Sequence, residues 1–191
     1  MAEIKIEKKN SIIPWILLIL GIVAAIWYFV LRTDEPKTTP STAKTELIDV
    51  QENNERVVAY VSFINADQDK IGLDHEFTSA ALSKLTDAVD AMATQINFDV
   101  TADISKAKEL ADKIERDPMA TTHSATISAA ATLLSSSLQN MQKANYPSLS
   151  IEANAVKTAA SGIDSGTLAL DQREAIKLFF NSAAELLTKM N

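Results

Sequence analysis

The fold of this 191-residue chain is decided by the stretch HEFTSAALSKLTDAVDAMATQI, His75 to Ile96. Its apolar residues recur at intervals of 4, 4, 4, 3 and 4 residues, which places them on one face of an α-helix. Asp74, which precedes the stretch, is a common N-cap residue. We therefore predict a helix that begins after Asp74, ends near Ile96 and buries one face, formed by Phe77, Ala81, Leu85, Val89, Met92 and Ile96.

Five further segments show the same helical period, and prolines and glycines separate these segments rather than interrupt them. No segment alternates as a strand would. The capping-box sequence Asp171-Gln172-Arg173-Glu174 predicts the start of the last helix. The sequence thus predicts an all-α antiparallel bundle of about five to six helices. Besides the first stretch, the predicted helices are Glu46–Ile64, Thr101–Arg116, Pro118–Ala144, Ser150–Ile163 and the segment from Asp171 onwards.

A shift of 49 residues superposes the apolar positions of two of these helices, for example Leu85 on Leu134 and Met92 on Met141. The same shift relates the helix that follows each of them. This pattern predicts two tandem helical hairpins of related sequence. The alternative is that alanine-rich amphipathic helices align whenever their apolar stripes are in phase.

Upstream of the bundle, SIIPWILLILGIVAAIWYFVL (Ser11 to Leu31) contains 21 consecutive residues without a charge. As a helix it is about 30 Å long, the thickness of a hydrocarbon core. Trp15 lies near one end and Trp27 and Tyr28 near the other, where aromatic rings settle at the headgroups. A cleavable secretory signal has a shorter apolar region followed by a small-x-small site. We therefore predict an uncleaved signal-anchor helix that crosses the lipid bilayer at residues 11–31.

The charges that flank the anchor predict its orientation. Lys5, Lys8 and Lys9 precede the anchor, whereas Arg32 and Lys37 follow it, which favours a cytoplasmic N-terminal segment at residues 1–10. Residues 32–45 read as a Pro/Thr-rich tether, and residues 46–191 as a periplasmic or otherwise extracytoplasmic bundle on the inner (cytoplasmic) membrane. After the anchor the chain carries 15 Lys and Arg against 23 Asp and Glu, a net charge of −8. This acidity argues against a nucleic-acid partner.

The two histidines of the chain suggest a metal site. His75, between Asp74 and Glu76, begins one predicted helix, and His123 lies in the first turns of another. In an up-and-down bundle these two helices are parallel, so both histidines are expected at the same end. We predict His75, His123, Asp74 and Glu76 as candidate ligands of a divalent cation. The alternative is two exposed histidines at helix starts, and we expect no cofactor because no haem-attachment or cofactor motif is present.

Catalytic motifs are missing from the sequence: it has no Gly-rich phosphate loop and no nucleophile elbow. Its carboxylate pairs, such as Asp87 and Asp90, have the spacing of an exposed helix face, so we expect a protein that is not an enzyme. The main hypothesis is an accessory subunit or scaffold of an envelope complex that acts by contact with another envelope protein. The loop and helix start at Asp69–Ala81 are the first candidate surface, or else only a turn and a cap. The alternative function is an envelope bundle that binds a metal or a small ligand.

Overall fold

The computed structural model describes residues 55–117, 120 and 122–191, and these residues form six α-helices without a strand. The all-α bundle predicted from the sequence is therefore confirmed for this part of the chain. Short 3₁₀ turns lie at Gln68–Lys70, Pro147–Leu149 and Ala169–Gln172. The helices are α1 (residues 55–66), α2 (His75–Gln95), α3 (Thr101–Arg116), α4 (His123–Asn145), α5 (Ser150–Ser161) and α6 (Arg173–Met190).

Two predicted helix starts are wrong. The fourth helix begins at His123 rather than at Pro118, because the Ala120 N–H donates to the Asp117 carbonyl at 3.1 Å and forms a turn. The capping box at Asp171 does not form, and α6 begins at Arg173 without a side-chain cap. Its N-cap residue, Gln172, instead bonds the preceding loop: its Oε1 accepts from the Asp164 N–H at 2.8 Å.

The first predicted helix, Glu46–Ile64, is described only from residue 55, where it continues to residue 66. The predicted anchor at 11–31 and the tether at 32–45 lie outside the described residues, as do Trp15, Trp27 and Tyr28. Within the described part of the chain, no helix is long and apolar enough to cross a membrane.

The helices form an inner and an outer layer. The inner helices α2, α4 and α6 all contact one another. Among the outer helices, α3 lies against α2 and α4, and α5 lies against α4 and α6. Because consecutive helices are adjacent and joined by short loops, they run antiparallel.

Helix α1 takes the third outer position, between α6 and α2. The Tyr60 hydroxyl is fully buried and donates to the Phe180 carbonyl of α6 at 2.8 Å. The Phe63 ring stacks on Phe77 of α2, with ring centroids 4.4 Å apart. Helix α1 thus completes a ring in which every outer helix contacts two inner ones.

The two layers contribute different side chains to one core. The inner helices supply large residues such as Leu85, Leu138 and Phe179, all fully buried. The outer helices α3 and α5 bury mainly alanine, valine and isoleucine, because small side chains let helix backbones approach closely.

The alanine- and serine-rich α4 is an inner helix, so its small residues serve tight packing: it buries Ser124, Thr126, Ala130, Ala131, Ser135 and Ser137.

The 49-residue spacing of buried residues extends to the third inner helix, α6. The outer helices α3 and α5 begin 49 residues apart, at Thr101 and Ser150. A shift of 49 residues also carries every buried residue of α6 back onto a buried residue of α4. Ser79 and Ser128, again 49 apart, each donate to a backbone carbonyl, that of Ala111 within α3 at 2.9 Å and that of Ile163 just after α5 at 3.0 Å, so the two acceptors do not share the 49-residue spacing. The shared burial pattern is what a tandem repeat predicts, and amphipathic helices packed in phase give the same pattern.

Candidate functional site

All three inner helices begin at one end of the bundle, which we call the histidine end. The ring centroids of His75 and His123 lie 6.4 Å apart, so the prediction that both histidines share one end is confirmed. The loop before α2 also packs against the start of α6: a Cβ added at Gly72 would lie 3.3 Å from the Arg173 Cα. The first turns of α2, α4 and α6 therefore converge there.

The loop before α2 has a tightly bonded turn. Gly72 has a φ of +75°, a left-handed conformation that favours glycine. Its N–H donates to Thr78 Oγ1 at 2.9 Å, and the same hydroxyl donates to the Asp74 carbonyl at 2.7 Å. Asp74 Oδ1 accepts from the N–H groups of Glu76 and Phe77, at 2.9 and 3.1 Å. The predicted N-cap at Asp74 is confirmed, and its carboxylate is engaged by the helix.

His123 is held in a defined orientation. Its Nε2 lies 2.7 Å from the Asp117 carbonyl oxygen. Because a carbonyl oxygen only accepts, Nε2 carries the hydrogen of this bond, and in the neutral ring Nδ1 then has the lone pair. His75 and His123 both line a cavity of about 40 Å³, together with Thr78 and the apolar side chains of Ile114 and Ile127.

Of the four predicted metal ligands, the structure brings together the two histidines. Asp74 faces its own helix start, and Glu76 is exposed beside His75. The described residues contain no group of three or more histidine, cysteine or acidic side chains that could hold a metal ion. Any metal at this end would therefore rely on the histidine pair and on solvent.

Three exposed leucines lie at the histidine end, and the sequence analysis pointed to one of them, because Leu73 falls in the candidate surface at Asp69–Ala81. Leu73, Leu168 and Leu170 are 57%, 53% and 55% exposed. Leu73 lines the cavity of the histidine pair, and so does Ala169, which lies between the other two leucines. We call these three residues the leucine cluster. For the other two leucines, the only sign of exposure in the sequence is that Leu168 and Leu170 fall in a Gly- and Asp-containing loop, outside any helical stripe.

A groove of about 390 Å³ runs between α1 and α6 and was also not predicted. The amides of Asn65, Gln68 and Asn181 line it, and Gln68 Nε2 donates to both asparagine Oδ1 atoms at 3.4 Å. Lys189 at its rim is paired with Glu152 and Glu185, at 2.7 and 3.0 Å. The hydrogen bonds that Lys189 donates to these carboxylates raise its pKa. The lining of the groove is thus polar, and the positive charge of Lys189 is balanced by two carboxylates.

No protein-family model, no curated protein and no solved structure matches this chain. Its function therefore has to be argued from its own residues. Two features of the histidine end provide the argument, the leucine cluster and the histidine pair.

Proposed function

We propose that this chain is a single-pass membrane protein whose helical bundle works outside the cytoplasm by contact with another envelope protein. The uncharged stretch at residues 11–31 and the lysines before it support the anchor and its orientation. In this proposal the chain has no catalytic role, and the bundle is an accessory subunit or scaffold.

The leucine cluster is the observation that carries the proposal. Single exposed leucines are ordinary on protein surfaces. Leu73, Leu168 and Leu170 are instead all more than half exposed and lie on two loops that line one cavity through Leu73 and Ala169. We take them as one apolar patch, and such patches mark interaction sites. The exposed acids Glu76, Asp171 and Glu174 lie near these leucines in the chain and outnumber the exposed Arg173 between them. We therefore expect the partner to present an apolar segment flanked by lysine or arginine.

Single-cysteine crosslinking in intact cells tests the contact, because the natural chain contains no cysteine. The Leu168→Cys variant, treated with a short thiol-to-amine crosslinker, is expected to give one adduct of defined mass. The matched control is Ile151→Cys, which is 79% exposed and lies at the opposite end, at the start of α5. The adduct is also expected to disappear when Leu73→Asp and Leu170→Asp are added. Equal adducts from both ends, or none, would contradict the proposal.

The anchor needs a separate test. We expect the full chain to stay in the membrane after alkaline carbonate extraction and a chain without residues 11–31 to be released. A membrane-impermeant maleimide applied to cells with a permeable outer layer is expected to label Leu168→Cys but not Ala2→Cys. Labelling of the N-terminal position alone would reverse the proposed orientation.

A further inference from the structure

We infer that His75 and His123 form a two-histidine site for a transition-metal ion such as Zn²⁺ or Cu²⁺. The inference is independent of the proposed partner, since it rests on the two histidines and the cavity that both of them line. It narrows the four ligands predicted from the sequence to two, because the Asp74 carboxylate caps α2.

The separation of the rings is somewhat larger than that of two histidines on one ion. A zinc–nitrogen bond of about 2.1 Å places the centroid of an imidazole roughly 3 Å from the metal, so two rings at the tetrahedral angle have centroids about 5 Å apart. The observed distance is 6.4 Å. His75 is exposed, and the inference requires its side chain to turn towards His123 when the ion binds.

The hydrogen bond of His123 is of the kind that orients a metal ligand. Metal-binding histidines usually donate their second ring N–H to a carbonyl or a carboxylate, which fixes the ring and its tautomer. The 2.7 Å bond from His123 Nε2 to the Asp117 carbonyl has this form. It leaves Nδ1 as the ligating atom.

The cavity has room for an ion and little else. About 40 Å³ exceeds what one water needs, roughly 10–15 Å³, and is far smaller than a pocket for an organic ligand. Waters would complete the coordination, so the site would be open. The helix starts carry partial positive charge, which the carboxylates of Asp74 and Glu76 offset. Imidazole ligands favour Cu²⁺, Zn²⁺ and Ni²⁺ over Mg²⁺ and Ca²⁺.

Such an ion would join the start of α2 to the start of α4. It would thereby hold the first hairpin, α2 and α3, against the second, α4 and α5. Leu73 lines the same cavity and lies beside this connection. We therefore expect the ion to raise thermal stability and to order the surface next to the leucine cluster.

The test uses the purified full chain in detergent, with ZnCl₂ and CuCl₂ as probes and MgCl₂ as the control ion. At about 100 times the dissociation constant, Zn²⁺ is expected to raise the Tm by roughly 5–10 °C. His75→Asn and His123→Asn are each expected to abolish the shift, while Glu174→Gln, an exposed acid in the first turn of α6, keeps it. The chain has no other histidine and no cysteine to replace them.

A second readout distinguishes loss of the ligand from loss of the fold. The Tm of each variant without metal reports folding, and electron paramagnetic resonance of bound Cu²⁺ reports coordination by two nitrogens in the natural chain. No Zn²⁺ shift in the natural chain, an equal shift with Mg²⁺, or a full shift in either folded histidine variant would overturn the inference. Failure of the crosslinking experiment would leave these results unchanged.

Discussion

The inner and outer helices of this bundle are both amphipathic, yet they are stabilised differently. The inner helices bury a wide face, which in α6 includes the adjacent Phe179 and Phe180. The outer helix α3 buries only a narrow stripe, Ile104, Ala107, Ala111 and Ile114. The difference teaches that the width of the apolar stripe, more than the size of the helix, decides the layer. It also predicts which kind of substitution each layer tolerates.

The largest expected effect is the loss of a large side chain from the inner layer. Phe179→Ala removes a fully buried ring and leaves a cavity, so we expect the free energy of unfolding to fall by about 3–5 kcal/mol. The neighbouring Leu178, 57% exposed, is the control, and Leu178→Ala is expected to change it by less than about 0.5 kcal/mol. Urea unfolding followed by circular dichroism measures both. Equal effects would mean that the two faces of α6 are wrongly assigned.

The outer layer is expected to be sensitive in the opposite direction, to added volume. Ala111→Leu forces a larger side chain between closely packed helices and is expected to cost about 1–3 kcal/mol. Ala102→Leu, at an exposed position of the same helix, serves as the control for helix propensity. If urea unfolding shows the two variants to be equally stable, the close approach of α3 to the inner layer is disproved.

The contact of α1 with α6 gives the next effect. Tyr60→Phe removes the buried bond to the Phe180 carbonyl and is expected to cost about 1–1.5 kcal/mol in urea unfolding at neutral pH. A variant as stable as the natural chain would show that this hydrogen bond contributes nothing.

The difference in stability between the natural chain and Tyr60→Phe is expected to depend on pH. Burial raises the pKa of Tyr60 well above its usual value near 10. Because the folded pKa is raised, the stability from the neutral hydroxyl is complete below about pH 10 and is lost as the pH rises towards the folded pKa. The stability gap between the natural chain and Tyr60→Phe is thus expected to narrow above about pH 10, as measured by urea unfolding from pH 8 upwards. A constant gap would contradict this assignment.

The smallest effect compares two acids at helix starts of the inner layer. Asp74→Ala removes a cap that bonds two N–H groups and is expected to cost about 1 kcal/mol. Asp171→Ala is expected to be nearly neutral, because Asp171 lies in the 3₁₀ turn and does not cap α6. Thermal unfolding of both variants measures these losses of stability. Equal losses would mean that Asp171 caps α6 as the sequence predicted.

The sequence predicted the features that depend on local period. The stripe of α2, its cap at Asp74 and the shared end of His75 and His123 follow from spacing alone, because helix geometry and antiparallel connection determine them. The capping box failed because Gln172 found partners eight residues back in the preceding loop. These contacts of Gln172 depend on the tertiary fold, so a four-residue motif does not predict them.

The match between α6 and α4 was missed for a related reason. Helix α6 carries Phe179 and Phe180 where α4 carries Ala130 and Ala131, so residue identity hides a register that burial reveals. The leucine cluster depends on which loops meet at one end of the bundle. Spacing along the chain does not contain that information.

The position of α1 between α6 and α2 has a consequence for how the domain could change in size. Proteins built from stacked helical repeats lengthen by adding a unit at an open end. Here the first outer helix already covers the last inner one, through Tyr60 and Phe180, and so occupies the place where another hairpin would start. In the described part of the chain, residues could therefore be added only in the loops. The ring of helices is closed by α1, so it has no open end for a further hairpin.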